Sequence, residues 1–296
     1  MKLKKTALIG IGYWGKVHLK YLKKIKNIKI KKFGKSNLTN NLKKIINDKS
    51  IRYIDIVTPI ETHAKLAIKL AKTNKKVLVE KPLLMDSYEL KQYENILKKN
   101  NNQITVSYPY TFSKTLNHAN KIINSKLLGS IKYIDIDISQ CGRFMKFGVN
   151  HLLGPHAISI ISIFYNIRKV SFKKFNIIET RNKIETSILL VKIKNKIIGK
   201  INLSLNFASV KKKKLVTIYC DKGTIICDLE NKIKTLVCYK YQRLKHKNYS
   251  LALLKKKQEK FFNENDNINN VIKNFIDNKK SLDNSILTKK INNFLK

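Results

Sequence analysis

The feature that most constrains this chain is a glycine-rich turn between a predicted strand and a predicted helix. Gly10, Gly12 and Gly15 stand between an apolar run over residues 3–11 and a segment of helical periodicity over residues 13–25. In such a context the first glycine allows a tight turn, the second lets backbone approach a pyrophosphate, and the third lets helix and strand pack closely. Backbone N–H groups at the start of the helix can then bind the phosphates. The turn therefore predicts a dinucleotide site lined by Gly10, Gly12, Tyr13, Trp14 and Gly15, with a purely structural turn as the alternative.

Strands and helices alternate from this turn to residue 108. The later predicted strands cover residues 28–33, 53–58, 77–79 and 104–108. The predicted helices between them cover residues 38–46, 60–72 and 87–98. Such alternation is typical of a doubly wound parallel sheet. We therefore predict an α/β protein whose N-terminal domain, residues 1–115, is an NAD(P)-binding Rossmann domain.

Beyond residue 115 the pattern changes to runs of adjacent strands. A helix at 116–125, a strand at 131–139 and a helix at 156–165 come before six strand-like segments within residues 170–239, and two helices are predicted within 265–296. Adjacent strands imply antiparallel pairing. We predict a C-terminal α+β domain, residues 116–296, with a large, mostly antiparallel sheet, and leave open whether the tail helices pack back on the first domain. Because an exposed apolar sheet face is costly, this domain also predicts a homo-oligomer, a dimer or a tetramer.

The residues after the second predicted strand bear on the choice between NAD and NADP. An acidic residue there would hold the ribose 2′-hydroxyl of NAD, but the strand ends Phe33-Gly34-Lys35-Ser36. A cation and a hydroxyl suit a 2′-phosphate, so Lys35 and Ser36 are predicted cofactor contacts that favour NADP over NAD. The alternative is that a lysine stands at this position because lysine is frequent throughout the chain.

Two motifs further along give the chain a family resemblance. Thr58-Pro59-Ile60-Glu61-Thr62-His63 opens a predicted helix, and Val77-Leu78-Val79-Glu80-Lys81-Pro82 follows it. Together with the N-terminal pattern G-x-G-Y-W-G-K-x-H, they closely resemble the glucose–fructose oxidoreductase/inositol dehydrogenase (Gfo/Idh/MocA) family. The resemblance covers essentially the whole chain, including the change to an antiparallel second domain.

This resemblance implies a nicotinamide-dependent oxidoreductase that acts mostly on sugars, nucleotide sugars or polyols. It places Lys81 between the nicotinamide and the substrate, and the following residues along the cofactor: Thr58, Pro59, His63, Glu80 and Pro82. A nearby cation such as an oxidised nicotinamide lowers the pKa of a lysine, which lets that lysine bind a substrate hydroxyl and assist proton transfer. The alternatives are a solvated lysine at position 81 and a histidine at position 63 that only caps or packs.

The predicted second domain carries a matching histidine motif. Its segment Leu152-Leu153-Gly154-Pro155-His156-Ala157-Ile158-Ser159-Ile160 resembles the D-x-x-P-H-x-x-S-I pattern that opens a helix in some nucleotide-sugar dehydrogenases of the family. The resemblance gives His156 the role of catalytic base and substrate contact. The chain departs from the pattern at Leu152, where the family often has Asp, and this leaves the proton route open. A lone histidine on an amphipathic helix is otherwise a core or surface residue.

Three more side chains are candidates for substrate contact. Tyr108 and Tyr110 follow the fifth predicted strand, where the resemblance implies substrate contacts, although aromatic residues there could equally pack at a domain interface. Arg143 precedes the His156 motif and could pair with a substrate phosphate or carboxylate. A surface arginine is the alternative interpretation.

The net charge is typical of nucleic-acid-binding proteins, but the kind of cation argues against that function. There are 62 Lys+Arg and 19 Asp+Glu, which gives a net charge of +43. Only five of the cations are arginine, whereas base recognition and bidentate phosphate binding favour arginine. A/T-rich coding accounts for the abundance of Lys, Ile and Asn. We therefore expect a small sugar-like substrate and no specific nucleic-acid partner.

Cysteine spacing and hydropathy predict neither a metal site nor a membrane span. The four cysteines form no C-x-x-C pair, and the histidines lie at no zinc-binding spacing. No apolar run reaches the roughly 18–20 residues of a membrane span. The short apolar stretch at the N-terminus is followed by no small-residue cleavage site. We therefore expect no metal, no membrane association and a cytoplasmic location.

Two functional hypotheses follow from these patterns. In the first, hydride passes between the nicotinamide and a carbinol carbon of the substrate, while His156 moves the hydroxyl proton and Lys81 orients and polarises that oxygen. In the second, the protein is a non-catalytic NAD(P)-binding regulator with the same fold. Leu152 in place of Asp favours the second hypothesis, whereas the presence of both Lys81 and His156 favours the first.

Overall fold

The computed structural model describes residues 3–34, 38–99, 103–141, 147–245, 250–264, 267–277 and 284–295. The chain divides into two compact units. The first comprises residues 1–109 and 266–296, and the second comprises residues 110–265.

The first unit contains a five-stranded parallel sheet. Its strands are β1 (Lys4–Ile9), β2 (Ile28–Phe33), β3 (Ile51–Ile56), β4 (Lys76–Val79) and β5 (Ile104–Val106), in the order β2-β1-β3-β4-β5. The helices between them are α1 (Tyr13–Leu22), α2 (Leu38–Asn47), α3 (His63–Ala71) and α4 (Ser87–Lys99). The central strands consist mainly of apolar residues that are fully buried, such as Leu8, Ile54 and Leu78. Burial on both faces explains why these strands are apolar runs rather than alternating ones.

The second unit contains an eight-stranded sheet. Its elements in chain order are α5 (Lys114–Asn124), β6 (Ile131–Ser139), α6 (Val149–Phe164), β7 (Val170–Thr180), β8 (Lys183–Ile193), β9 (Lys196–Ser204), β10 (Lys213–Cys220), β11 (Gly223–Asp228), β12 (Ile233–Lys245) and β13 (Ser250–Asn263). The strand order is β13-β12-β11-β10-β6-β9-β8-β7, and every neighbouring pair is antiparallel except β6 and β9. Alternating residues Ile134, Ile136 and Ile138 of β6 are buried. A Rossmann sheet together with this mostly antiparallel sheet confirms the predicted fold class.

Two elements of the second unit differ from the sequence prediction. The strand β13 was not predicted, because most of its side chains are exposed and backbone pairing with β12 holds it in place rather than an apolar face. Helix α6 begins at Val149, although the prediction started it at residue 156. Pro155 lies inside this helix, and a proline normally indicates a helix start. His156 therefore lies about two turns into α6 and does not open it.

The last two helices belong to the first unit. Helix α7 (Asn267–Ile276) and helix α8 (Ser285–Leu295) group with residues 1–109, whereas the sequence-based division assigned residues 116–296 to one domain and left the tail open. The apolar side of α7 is buried, including Ile272 and Ile276. Lys4 Nζ donates to the Ile276 carbonyl at 2.9 Å, and Asn284 Nδ2 donates to the Val106 carbonyl at 2.8 Å. These contacts attach the tail to strands β1 and β5.

Candidate functional site

Most of the predicted site residues of the first unit lie at one edge of its parallel sheet. Strands β1, β3, β4 and β5 are neighbours in that order, and their carboxyl ends meet at this edge. Three backbone hydrogen bonds join the segments that leave them: Val57 N to Ile9 O at 2.8 Å, Glu80 N to Ile56 O at 3.0 Å, and Ser107 N to Val79 O at 2.8 Å. Ligands of open parallel sheets bind at this edge.

The glycine turn between β1 and α1 has the geometry that phosphate binding requires. Gly10 has a φ of +96°, and a Cβ atom on it would lie 2.3 Å from the Val57 carbonyl oxygen. A Cβ on Gly15 would lie 2.1 Å from the Gly10 carbonyl oxygen, whereas a Cβ on Gly12 would meet nothing within 4 Å. Gly10 and Gly15 are therefore required by packing, while Gly12 faces open space.

The start of helix α1 carries no side-chain cap. Gly12 is the N-cap residue and has extended backbone, so no side chain accepts a hydrogen bond from the first turn. Tyr13 and Trp14 are 63% and 52% exposed and meet edge to face at 5.5 Å. An uncapped helix N-terminus with open space above Gly12 fits a pyrophosphate, because backbone N–H groups and the helix dipole both favour an anion there.

His63 links the two segments that carry the family motifs. Its Nε2 lies 2.8 Å from the Thr58 carbonyl oxygen and its Nδ1 lies 2.8 Å from the Pro82 carbonyl oxygen. The residue is 1% exposed. Both ring nitrogens thus face backbone carbonyl oxygens, which favours the packing alternative for His63 over contact with the cofactor. Its effect is to hold Thr58 and Pro59 in a fixed position relative to the segment that follows β4.

Lys81 follows Glu80 at the carboxyl end of β4. Burial lowers the pKa of the Lys81 ammonium to about 8, and the neighbouring Glu80 carboxylate opposes that shift. An amine with such a pKa exists in both protonation states at mildly alkaline pH, which suits a group that hydrogen-bonds a reacting oxygen. The Lys81–Pro82 peptide bond is cis.

One further residue at this edge was not predicted as a site residue: His18, the histidine of the G-x-G-Y-W-G-K-x-H pattern. His18, on α1, is fully buried, and its Nδ1 lies 2.9 Å from Asp55 Oδ2 while its Nε2 lies 3.2 Å from Glu80 Oε1. Burial alone would lower the pKa of His18, but Asp55 and Glu80 together raise it to about 10. Burial would raise the pKa of Glu80, but His18 and Lys81 lower it to about 2. The signal in the sequence was Asp55, an acidic residue inside a buried strand.

Tyr108 lies just beyond β5 but is 2% exposed. Its hydroxyl lies 3.1 Å from Thr288 Oγ1 of helix α8, and burial raises its pKa well above the ordinary value. A buried tyrosine that is hydrogen-bonded to a tail helix favours the packing alternative for this predicted substrate contact.

In the second unit, His156 stands beside an aromatic ring. The rings of His156 and Tyr110 meet edge to face at 5.3 Å, and burial raises the pKa of the Tyr110 phenol. Leu152 precedes His156 by four residues on α6, and both are partly exposed, so they share one side of the helix. His151 is adjacent to Leu152 and therefore lies off that side of the helix. Burial and, to a smaller extent, the positive charge of Lys174 lower the pKa of the His151 imidazole.

Three predicted site residues lie outside the described part of the chain: Lys35, Ser36 and Arg143. Within the described residues, no three His, Cys, Asp or Glu side chains form a group that could hold a metal ion. The four cysteines are free thiols. In the same residues, no helix is long and apolar enough to span a membrane.

The parallel sheet, the glycine turn and the uncapped start of α1 define a Rossmann-type dinucleotide-binding fold. A family model described as "Oxidoreductase family, NAD-binding Rossmann fold" (GFO_IDH_MocA) matches residues 4–108. The match covers about a third of the chain, residues 4–108, and agrees with the resemblance that the motifs indicated.

Curated relatives match parts of the chain. Levoglucosan dehydrogenase of Pseudarthrobacter phenanthrenivorans is 33% identical over 101 residues, which cover 34% of this chain and 26% of that protein. Oxidoreductase P35 of Formosa agariphila is 24% identical over 161 residues, which cover 48% of this chain and 50% of that protein. The chain thus spans from about a quarter to half of the length of these two relatives.

Solved structures resemble the chain over nearly all of its length. Scyllo-inositol dehydrogenase from Lactobacillus casei, with bound NAD(H) and scyllo-inositol, has a TM-score of 0.73 at 14% identity and covers 98% of this chain and 94% of that chain. A 3-ketoreductase from Actinomadura kijaniata, in complex with TDP-benzene and NADP, has a TM-score of 0.78 at 10% identity and covers 98% and 95%. At these identities the likeness shows the fold.

Proposed function

We propose that the protein is an NAD(P)-dependent dehydrogenase or reductase that acts on a secondary alcohol or ketone of a sugar, nucleotide sugar or polyol. The observation that carries the proposal is Lys81, whose amine has a lowered pKa beside Glu80 at the same sheet edge as the glycine turn. The names of the relatives support the substrate class, since they include levoglucosan and inositol dehydrogenases.

Three parts of the chain act in the proposed reaction: the start of α1, His156 and Lys81. Backbone N–H groups at the start of α1 bind the pyrophosphate, and the open space at Gly12 admits it. The nicotinamide, when bound, supplies or accepts the hydride. In the oxidation direction, His156 accepts the proton of the substrate hydroxyl, and the Lys81 ammonium donates a hydrogen bond to the same oxygen and stabilises its developing negative charge.

Cofactor preference and assembly belong to the proposal as well. The two structural neighbours named above hold NAD(H) and NADP respectively, so NADP preference depends on Lys35 and Ser36 alone. The cytoplasmic location and the homo-oligomer, a dimer or tetramer, stay predictions from the sequence.

A substrate screen with two matched variants tests the proposal. The purified protein is assayed with each cofactor against a panel of polyols, free sugars and sugar nucleotides, following nicotinamide absorbance. Lys81→Ala and His156→Ala should each lower turnover by roughly 10²- to 10⁴-fold, the usual contribution of a positioned acid or base. Lys69→Ala, which removes an exposed lysine of α3, should leave turnover unchanged. If a substrate is turned over but neither variant changes its turnover, the roles assigned to Lys81 and His156 are wrong. If the cofactor binds and no substrate is turned over, the non-catalytic regulator replaces the enzyme.

A further inference from the structure

The side chain of His18 lies between two carboxylates and faces no other acceptor or donor of the described residues. Its Nδ1 is 2.9 Å from Asp55 Oδ2 and its Nε2 is 3.2 Å from Glu80 Oε1. An ionised carboxylate only accepts hydrogen bonds, and a neutral imidazole donates from one nitrogen only. With both carboxyl groups ionised, both contacts can be hydrogen bonds only if both ring nitrogens carry protons, which makes His18 an imidazolium.

This imidazolium balances a buried cluster of charges. Asp55 is 1% exposed, and among the described residues its Oδ1 accepts no hydrogen bond, so His18 is what compensates its charge there. The Glu80 side chain is 16% exposed and is shared between His18 and Lys81. Two cations and two anions thus alternate in the order Asp55, His18, Glu80, Lys81. Removing one member of a buried charged pair leaves its partner uncompensated, which is strongly unfavourable.

The cluster also connects the elements that form the sheet edge. His18 lies three residues beyond Gly15 on α1, Asp55 lies in β3 one residue before its end, and Glu80 directly follows β4. The contacts of His18 bridge sequence separations of 37 and 62 residues. One side chain therefore ties the helix that follows the glycine turn to the segment that carries Lys81.

We propose that His18 is a positioning residue: an imidazolium, protonated at neutral pH, that fixes Glu80 beside Lys81 and offsets part of the negative charge that Glu80 presents to the Lys81 amine. This inference rests on the proposed function for its kinetic consequence, but not for its structural content. Among the described residues, the titratable groups that face Glu80 are His18, Lys81 and Tyr108. Those that face His18 are Asp55 and Glu80.

Two substitutions that change the charge near Lys81 in opposite directions test the proposal. His18→Gln removes a positive charge near Lys81, so the Lys81 amine should hold its proton to higher pH. Asp55→Asn removes a negative charge from the same cluster, so the Lys81 amine should lose its proton at lower pH. Each shift should be roughly one pH unit, the lower end of the range for a nearby charge. Damage to the fold alone would move both variants in the same direction, so opposite shifts support the proposal and shifts of one sign overturn it.

The Lys81 proton can be followed with and without turnover. Reductive ¹³C-methylation reports each lysine by NMR, and the Lys81 signal is identified by its loss in Lys81→Arg. Where turnover is measurable, the alkaline limb of the kcat/KM profile should shift with the NMR titration in both variants.

A spectroscopic measurement on the unmodified protein keeps the proposal testable if either variant fails to fold. The chain has six histidines, so ¹H–¹⁵N spectra of the imidazole rings can be assigned, with His118→Gln of the second unit as an assignment control. The His18 ring should retain two N–H protons at pH 8. A His18 ring that loses one proton below pH 8 overturns the proposal.

The Lys81 titration, the His18 spectra and the turnover assay together distinguish failure of this inference from failure of the proposed function. If no substrate is turned over but the His18 ring stays doubly protonated and the Lys81 titration moves in opposite directions, the enzyme proposal fails and the charge cluster stands. If turnover is found and His18 titrates as an ordinary histidine, the enzyme stands and the positioning role of His18 fails.

Discussion

A Cβ atom on Gly15 would lie 2.1 Å from the carbonyl oxygen of Gly10, whereas one on Gly12 would meet nothing within 4 Å. The first turn of α1 therefore packs against the loop that leads into it, and the middle glycine of the motif keeps space open above the helix N-terminus. Two glycines of one motif thus have different physical roles, and substitutions can separate them.

Gly12→Val should abolish NAD(P)H binding and leave the fold intact, because the added side chain fills only the open space where a pyrophosphate would lie. Gly15→Val should instead lower the free energy of unfolding by about 1–3 kcal/mol or more, as overpacking does. Fluorescence titration with NADPH and thermal unfolding measure the two effects. A folded Gly12→Val protein with unchanged cofactor affinity would remove the nucleotide-site assignment.

NADPH should bind more tightly than NADH, because Lys35 and Ser36 stand where a NAD-specific protein has a carboxylate. Lys35→Asp should reverse the preference, since a carboxylate repels the 2′-phosphate and accepts a hydrogen bond from a free 2′-hydroxyl. Lys32→Ala, an exposed lysine of β2, serves as the control for general loss of positive charge. Tighter binding of NADH by the unmodified protein would show that Lys35 is present because lysine is frequent in this chain and does not select the cofactor.

The buried charge cluster predicts a pH dependence of stability with a definite sign. The pKa of His18 is raised from 6.5 to about 10 on folding, so its contribution is fully present below pH 6.5 and is lost as the pH rises towards 10. The difference in unfolding free energy between the unmodified protein and His18→Gln should be on the order of a few kcal/mol below pH 6.5. Denaturant unfolding between pH 6 and 10 should show that difference shrinking. A difference independent of pH would mean that His18 is not charged in the folded protein.

The fold was predictable from the sequence wherever the evidence was local. Apolar runs such as Ile51–Ile56, glycines at Gly10 and Gly15, and alternation in β6 follow from backbone sterics and side-chain period. Two features were not predictable in this way. The exposed strand β13 is held by pairing with β12, and the start of α6 is concealed by Pro155, so neither leaves a local apolar pattern.

The candidate site was predictable in part for a similar reason. The glycine turn and the Glu80-Lys81-Pro82 segment are contiguous motifs and were found directly. The contacts of His18 with Asp55 and Glu80 span 37 and 62 residues, and they exist only once three elements have met at the sheet edge. Sequence spacing could not reveal that His63 faces two backbone carbonyls, because the Pro82 carbonyl is brought to it by the fold.

The net charge of +43 should produce weak nucleic-acid binding without sequence preference. Lysines dominate the cations, and lysine contributes phosphate attraction rather than base recognition. Affinity for a random DNA duplex, measured by fluorescence anisotropy, should fall by roughly 10³-fold or more between 50 and 200 mM salt, as counterion release requires for several phosphate contacts. A sequence-selective complex that persists at about 0.2 M salt would contradict this expectation.

The last prediction concerns Leu152 and His156, which lie four residues apart on one side of α6 and are both partly exposed. Under the proposed function, His156 must lose its proton to act as a base, and the acidic limb of the pH–rate profile reports that loss. Leu152→Asp places a carboxylate where it favours the protonated imidazole, so the limb should move upward by about 0.3 to 1 pH unit. Ser162→Asp adds the same charge six residues further along α6 and should leave the limb in place. If His156→Ala removes the limb but Leu152→Asp does not move it, the side chain at position 152 does not face the histidine, and the alignment of this segment with the D-x-x-P-H pattern is wrong.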